Sequence, residues 1–218
     1  MAVSYMDFSA DDIQFKANLK DNLLFKKDEN NYLYDLGIKQ LNTIGNISLL
    51  DIYLSDGNVL EAHYHQNASE LVYCITGSAL ISMINPDTDE LLNFNLTPTE
   101  VVSIPQGWWH YFSATSDETH LLSTFDTPIL QTIFGSDILR LMPKDALSHM
   151  YCLDEEAVKE ALDPIDETVI IGPPSDCMDE TGGNHVRKAK RNTLPKEDTK
   201  TGRPTNLPPF PGALYPKS

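Results

Sequence analysis

Short runs of β-branched, aromatic and aliphatic residues follow one another through the middle of the chain, and turn-forming residues separate them. Seven of these runs predict strands, at 47–54, 71–76, 79–85, 91–96, 101–104, 108–113 and 120–125. Because no helical pattern interrupts them, they predict an antiparallel sandwich or barrel. Three earlier runs, at 13–16, 23–26 and 32–38, predict further strands that pack on its edge.

The pattern changes after residue 125. Helical spacing of apolar residues predicts three short helices at 136–141, 144–151 and 154–162, and 168–172 reads as a last strand. Helices of this length are not stable alone, so we expect them to pack on the barrel or on a neighbouring subunit.

Charge divides the chain into two parts. The net charge is −16, yet the residues from Asn184 onward hold 8 of the 16 basic residues and only 2 of the 32 acidic ones. The acidic body repels phosphate, which excludes nucleic-acid binding except through this basic tail. The tail also contains 6 of the 14 prolines and little apolar periodicity, which predicts disorder.

These features predict four segments. Residues 1–41 form N-terminal strands on the barrel, 42–127 the barrel, 128–177 the helices and a final strand, and 178–218 the disordered tail. No run approaches the roughly 18 apolar residues of a membrane span, and the first residues do not read as a secretory signal. Three cysteines without a CxxC motif are typical of reduced thiols, so we expect a cytoplasmic protein.

Three histidines and one glutamate carry the candidate chemistry. His63 and His65 are two residues apart on a strand, so both side chains project from the same face. Glu70 begins the next strand, and His110 follows the tight turn at 105–107. Imidazole and carboxylate groups are suitable ligands for Mn, Fe, Ni or Zn.

Residues 57–77 match G-x5-HxH-x3,4-E-x6-G, and residues 105–110 match PxGxxH. These are the two motifs of the cupin family, and over about 42–163 the chain resembles germin-like cupins and bacterial oxalate decarboxylases. The resemblance implies an all-β double-stranded β-helix, or jelly-roll barrel, with short C-terminal helices. It also places metal ligands at His63, His65, Glu70 and His110. The second motif departs from the family at two positions, where Thr99 replaces a glycine and Ala114 replaces an asparagine.

Three imidazoles and one carboxylate leave two open positions on an octahedral divalent ion, which favours Mn or Fe over structural Zn. The resemblance implies Mn, although Fe, Ni or Zn can occupy such a site. Open positions suit a small chelating carboxylate together with dioxygen or water. We therefore expect a Mn- or Fe-dependent oxidoreductase or lyase that acts on a small organic carboxylate of the oxalate type. Leu60 stands where oxalate decarboxylases carry a substrate-holding arginine, and the chain has one cupin unit with no identified lid.

Two alternatives remain open. Period-two counting places Val72 and Cys74 on the face of Glu70, and Trp108 and Phe112 on the face of His110. With Leu60 they are pocket candidates, and an apolar pocket suits an Fe-dependent dioxygenase of an apolar or aromatic substrate. The other alternative is a non-catalytic cupin that binds metal for stability or sensing.

Two further expectations concern the surface. Trp109 and Tyr111 point away from His110, and large aromatic residues on an outer strand face often mark a subunit contact. The family resemblance implies a homo-oligomer, either a dimer or a hexamer. For Glu61, next to Leu60, a surface position is expected, and a position behind the metal ligands is the alternative.

Overall fold

The computed structural model describes residues 7–177, so the predicted tail at 178–218 lies outside the described residues. The strands are β1 Leu23–Lys26, β2 Tyr32–Leu36, β3 Ser48–Leu54, β4 Val59–Tyr64, β5 Glu70–Thr76, β6 Ala79–Asn85, β7 Glu90–Leu96, β8 Val101–Ile104, β9 His110–Ala114, β10 Thr119–Phe125, β11 Ile133–Phe134 and β12 Ile171–Gly172. The α-helices are α1 Gly135–Leu141, α2 Lys144–Tyr151 and α3 Glu155–Leu162. Single 3-10 turns lie at Leu19–Asp21 and Ser175–Cys177.

Two antiparallel sheets form the barrel. The first has the strand order β1-β2-β3-β10-β5-β8, and the second has the order β11-β4-β9-β6-β7 with β12 paired to β4. Side chains from both sheets meet in one hydrophobic core. The predicted all-β jelly-roll with short C-terminal helices is therefore confirmed.

Alternation along the strands explains which residues fill the interior. In β10 the residues Thr119, Leu121, Ser123 and Phe125 are buried, and those between them are half-buried. Successive side chains of a strand point to opposite faces, so one face of each strand lines the barrel. The same alternation brings the motif residues of β4, β5 and β9 into one interior.

Two predicted strands differ from the structure by more than shifts of one or two residues at their ends. Residues 13–16 form no strand, because side chains of Asn42 and Thr43 bind the backbone there: Asn42 accepts from Gln14 N at 2.9 Å and Thr43 donates to Gln14 O at 2.6 Å. The final strand contains only Ile171–Gly172, since Ile170 has a φ of 58° and interrupts the extended run. A β-branched residue at positive φ is strained, and the chain turns there.

Thr99, which replaces a glycine of the second motif, has a strained backbone conformation. Its φ is 78°, a conformation that glycine adopts freely and a β-branched residue adopts only under strain. Its backbone N–H donates to Cys74 O at 3.0 Å, which holds the turn between β7 and β8 against β5. The turn expected from the family motif is thus kept with a residue that fits it poorly.

Helix α1 begins directly after β11 and packs beside β4, whereas α2 and α3 pack against each other. Asp154 caps α3 by accepting a hydrogen bond from Ala157 N at 2.9 Å. Trp109 lies against Gly135 and Tyr64 of the same chain, and its place at a subunit contact stays a prediction. Between residues 7 and 177, the helices are all too short and too polar to cross a membrane.

Candidate metal centre

The fold gathers the four motif residues at one point in the barrel. His63 lies in β4 and pairs with His110, the first residue of β9, while Glu70 is the first residue of β5. His65 follows β4 directly. All four side chains are buried, and one nitrogen or oxygen atom from each lies within 4.8 Å of the others.

Backbone carbonyls fix the orientation of the three imidazoles. His63 Nδ1 donates to Glu61 O at 2.6 Å, and His110 Nδ1 donates to Trp108 O at 2.8 Å. His65 Nδ1 lies 3.2 Å from the carbonyl oxygen of Gln131. Because a carbonyl can only accept, the protons of His63 and His110 sit on Nδ1 and their Nε2 atoms keep their lone pairs. His65 Nδ1 also lies 3.1 Å from Thr132 Oγ1, a hydroxyl that can either donate or accept.

These lone pairs converge on the Glu70 carboxylate. Glu70 Oε2 is 3.0 Å from His110 Nε2 and 3.4 Å from His65 Nε2. None of the three atoms has a hydrogen-bond partner among residues 7–177. Buried acceptors this close together repel one another unless they share a cation, so the donor set fits a divalent metal ion.

Electrostatics support the same arrangement. Burial, together with the neighbouring His110 and His65, lowers the pKa of His63 to about 3, so the ring is neutral at physiological pH. Burial opposes ionisation of Glu70, while His110 and His65, which donate to its carboxylate only when their Nε2 atoms are protonated, hold the pKa of this carboxyl below the ordinary value. Three neutral imidazoles and one carboxylate are the protonation states that bind a metal.

Glu61 supports the centre from behind the ligands, which is the alternative to the surface position expected for it. Its carbonyl oxygen holds His63, while its carboxylate accepts from Ser136 N at 2.9 Å, Ser136 Oγ at 2.8 Å and Ile170 N at 2.8 Å. The residue therefore ties the start of α1 and the last strand to the metal-facing part of β4. Its partners are 75 and 109 residues away, and nothing in the motif indicates them.

A cavity of about 380 Å³ opens beside His63 and His65. Besides these two and Gly37, its wall consists of Leu24, Leu33, Asp35, Leu36, Ile38, Lys39, Gln40, Ser48, Leu49, Leu50, Leu60, Pro128, Ile129, Leu130, Thr132, Phe134 and Ile170. Most of these side chains are apolar. The volume is in the range of small-molecule sites, which is about 300–1,000 Å³.

The five pocket candidates fall in different places. Leu60 lines the cavity. Val72, Cys74 and Phe112 share the interior face as counted, but they are fully buried in the hydrophobic core. Trp108 is half-buried and packs against that core. The cavity wall instead comes largely from the segment around β2 and the residues after β10, which strand counting within the motifs did not indicate.

Comparisons with known proteins agree with this geometry. The family model described as Cupin matches residues 30–159, more than half of the chain. Over 110 residues the chain is 26% identical to the 12S seed storage protein CRC of Arabidopsis thaliana, covering 49% of this chain and 21% of that protein.

Two solved structures are similar in fold. Oxalate decarboxylase from Bacillus subtilis matches with a TM-score of 0.64 and 21% identity over 74% of this chain and 43% of that one. Procruciferin, the 11S globulin of Brassica napus, matches with a TM-score of 0.65 and 21% identity over 72% of this chain and 43% of that one. The chain thus spans less than half the length of each of these proteins. By its motifs, its barrel and its family match, the chain belongs to the cupin family.

Proposed function

We propose that this protein is a metal-dependent oxidoreductase in which His63, His65, Glu70 and His110 hold one divalent ion. The substrate in this proposal is an organic carboxylate that enters the apolar cavity, with dioxygen as co-reactant. The observation that carries the proposal is a group of buried acceptor atoms on His65, Glu70 and His110 that have no hydrogen-bond partners among the described residues. The group lies next to a cavity of about 380 Å³, which His63 and His65 line.

Manganese or iron suits this donor set best, although nickel and zinc compete for nitrogen and oxygen ligands. The oxalate decarboxylase of Bacillus subtilis has Mn(II) centres, which supports manganese here. Such an ion would act as a Lewis acid and exchange electrons with dioxygen. The protein's own part is to keep the three rings in the required tautomer and to shield the site behind apolar walls.

The cavity favours an apolar substrate body over oxalate. Leu60 occupies the wall where the family resemblance implies an arginine for the small dianion. Among the lining residues that the structure describes, Lys39 is the single basic side chain, and it is exposed. A dianion the size of oxalate would leave most of the apolar volume unfilled, whereas a monocarboxylate with a hydrocarbon body would fill it.

Metal analysis and oxygen uptake test the proposal. Protein produced in manganese- and then iron-supplemented medium should retain close to one ion per chain, and the His63→Ala variant should retain none. Oxygen consumption should rise with medium-chain or aromatic monocarboxylates and stay at background with oxalate. An unchanged metal content in His63→Ala would contradict the site itself.

A non-catalytic role is the second candidate, because the curated relatives include seed storage proteins. In that case the metal, if present, would contribute to stability alone. A fully loaded sample that consumes no oxygen with any carboxylate of the panel, yet unfolds at a higher temperature than the metal-free protein, would favour this role.

A further inference from the structure

Ile170 lies in the cavity wall with a backbone conformation that a β-branched residue disfavours. Its φ is 58°, and Ile171 N donates to Val169 O at 2.7 Å, so Ile170 is the central residue of a γ-turn. The form of this turn with positive φ is rare and strained. Strained residues persist only where surrounding contacts hold them, and they cluster at ligand-binding sites. The turn is therefore a candidate for a role in ligand binding.

Glu61 holds this turn in place. Ile170 N donates to the Glu61 carboxylate at 2.8 Å, and Glu61 N donates to Ile170 O at 2.9 Å. Val169 N donates to Ser136 Oγ at 3.1 Å, and that hydroxyl donates to the same carboxylate at 2.8 Å. Since Glu61 O also binds His63 Nδ1, one residue of β4 fixes both the turn and a metal-facing imidazole.

Ile170 and its two neighbours lie against different cavities. Ile170 lines the cavity of about 380 Å³ beside the candidate metal centre, the metal-side cavity. Val169 and Ile171 line a second cavity of about 430 Å³, whose wall does not include Ile170. Because Glu61 engages both polar backbone groups of Ile170, the surface that this half-buried residue presents to the metal-side cavity is its apolar side chain.

The turn also lies at a defined distance from the ligands. Its partner Glu61 stands two residues before His63, which corresponds to about 7 Å along β4. Leu60, the neighbour of Glu61, lines the same cavity. A hydrocarbon body that extends from the metal along this apolar wall therefore meets Ile170 after a few carbon atoms.

We infer that Ile170 is a specificity-determining residue whose side chain limits the length of the hydrocarbon body that the metal-side cavity accepts. The inference rests on the proposed function for the position of the carboxylate. It adds the substrate class, a monocarboxylic acid of limited chain length, and the residue that sets the limit.

Calorimetric titration of the metal-loaded protein with straight-chain alkanoates of four to twelve carbons tests this inference. In the native protein the affinity should rise about 4-fold with each methylene group that is buried, and it should stop rising at one chain length. Ile170→Ala removes three carbon atoms of the side chain and should raise this limit by about two carbons. An acid two carbons beyond the native limit should then bind about 10-fold more tightly to the variant than to the native protein. Ile170→Val removes one carbon atom and should raise the limit by about one.

Val169→Ala is the matched control, because Val169 is half-buried in the same turn but lines the second cavity. It should keep the chain-length limit of the native protein. Ile170 is itself only half-buried, so Ile170→Ala should remain folded, and Ile170→Val makes the same test with the loss of a single methyl group.

The outcomes separate the two proposals. An affinity that still rises at twelve carbons in the native protein, a limit unchanged in Ile170→Ala, or an equal shift in Val169→Ala overturns the inference about Ile170 while the metal function stands. Straight-chain 1-alkanols of four to ten carbons, titrated into the metal-free protein, measure the limit without a carboxylate. If the protein retains no metal, the proposed function fails, and a longer alkanol limit in Ile170→Ala still supports the role of Ile170. If neither series binds the native protein, the inference is overturned.

Discussion

The barrel carries two clusters that combine histidine with a carboxylate, and they differ in whether their acceptor atoms are paired. Inside, Glu70 meets His65 and His110 through Nε2 atoms that lack partners among the described residues. Outside, on the face of β3 and β10, His120 Nε2 binds Asp51 Oδ1 at 2.5 Å. The outer imidazole also stacks on Tyr53, with ring centroids 4.2 Å apart. Both clusters combine imidazole with a carboxylate, and of the two only the inner one leaves acceptors unsatisfied among the described residues.

The two clusters differ in this way because the backbone binds the Nδ1 atoms of the inner imidazoles, whereas a carboxylate binds the Nε2 atom of the outer one. In the inner cluster the carbonyls take Nδ1 and turn the Nε2 lone pairs toward one another. In the outer cluster the carboxylate itself takes Nε2, so the pair is complete as an ion pair or hydrogen bond. A histidine beside a carboxylate therefore does not by itself indicate a metal site. The indication is a set of buried acceptor atoms that point at one another and have no hydrogen-bond donors.

The largest expected effect separates the clusters by metal content. Glu70→Gln removes the anionic ligand and should reduce bound manganese or iron from near one ion per chain to below about 0.1, since a neutral amide is a weak substitute. The measurement is elemental analysis after dialysis. His120→Ala is the matched control, and it should retain the full metal content. Equal losses in both variants would contradict the distinction between the clusters.

The second-largest expected effect is a loss of thermal stability when the metal is removed. A ligand present at about 1,000 times its Kd stabilises the folded state by about 4 kcal/mol, which corresponds to ~10 °C in Tm for a chain of this size. Chelation should therefore lower the Tm of the native protein by about this amount and leave the Tm of Glu70→Gln unchanged. Calorimetry with and without chelator measures the shift. A Tm that ignores the chelator in a protein shown to be loaded would contradict a stabilising site.

The metal-free protein should lose stability as the pH falls. His63 has its pKa lowered from 6.5 to about 3 by burial, so between these values protons bind the unfolded chain and not the folded one. Stability is then full above pH 6.5 and declines below it. Between pH 7.5 and 5.0 the free energy of unfolding should fall by about 2 kcal/mol from this residue alone. Glu70 contributes mainly below its ordinary pKa of 4.5, in the same direction.

Denaturant titrations at the two pH values measure this decline. His63→Gln cannot take up the proton, and its metal-free form should show a decline that is smaller by about the same 2 kcal/mol. If the native protein and His63→Gln lose stability equally, the buried neutral state of His63 is wrong.

The sequence was sufficient to predict most of the barrel strands and to bring the metal ligands together, because both depend on local periodicity. Alternation places His63 and His65 on one face, and the strands at 79–85 and 101–104 have the bounds predicted for them. It also places Val72 and Cys74 on the interior face of β5. Alternation gives the face of a strand but not the depth along the barrel, so it did not separate core residues from the cavity wall.

The remaining features depend on distant contacts. Glu61 lies beside a motif histidine, yet its role depends on Ser136 and Ile170, which reach it only in the folded chain. Leu36 and Ile38 show local strand character, and their position over the cavity depends on how β2 pairs with β3. Such contacts join segments whose local patterns contain no information about each other.

The smallest expected effect concerns the outer cluster. The side chains of His120 and Asp51 are 20% and 10% exposed. Burial together with the charge of Asp51 raises the pKa of Tyr53 to about 12, so the phenol stays neutral beside the pair.

His120→Ala leaves the carboxylate of Asp51 without its histidine partner and should lower the free energy of unfolding by about 1–2 kcal/mol. His120→Phe keeps the stacking on Tyr53, and the difference between the two variants isolates the contribution of the ring. Both should bind metal and consume oxygen as the native protein does. A loss of metal in His120→Phe without a change in stability would mean that the two clusters are coupled through the sheet, because β10 pairs with β5 and so places Phe125 opposite Glu70.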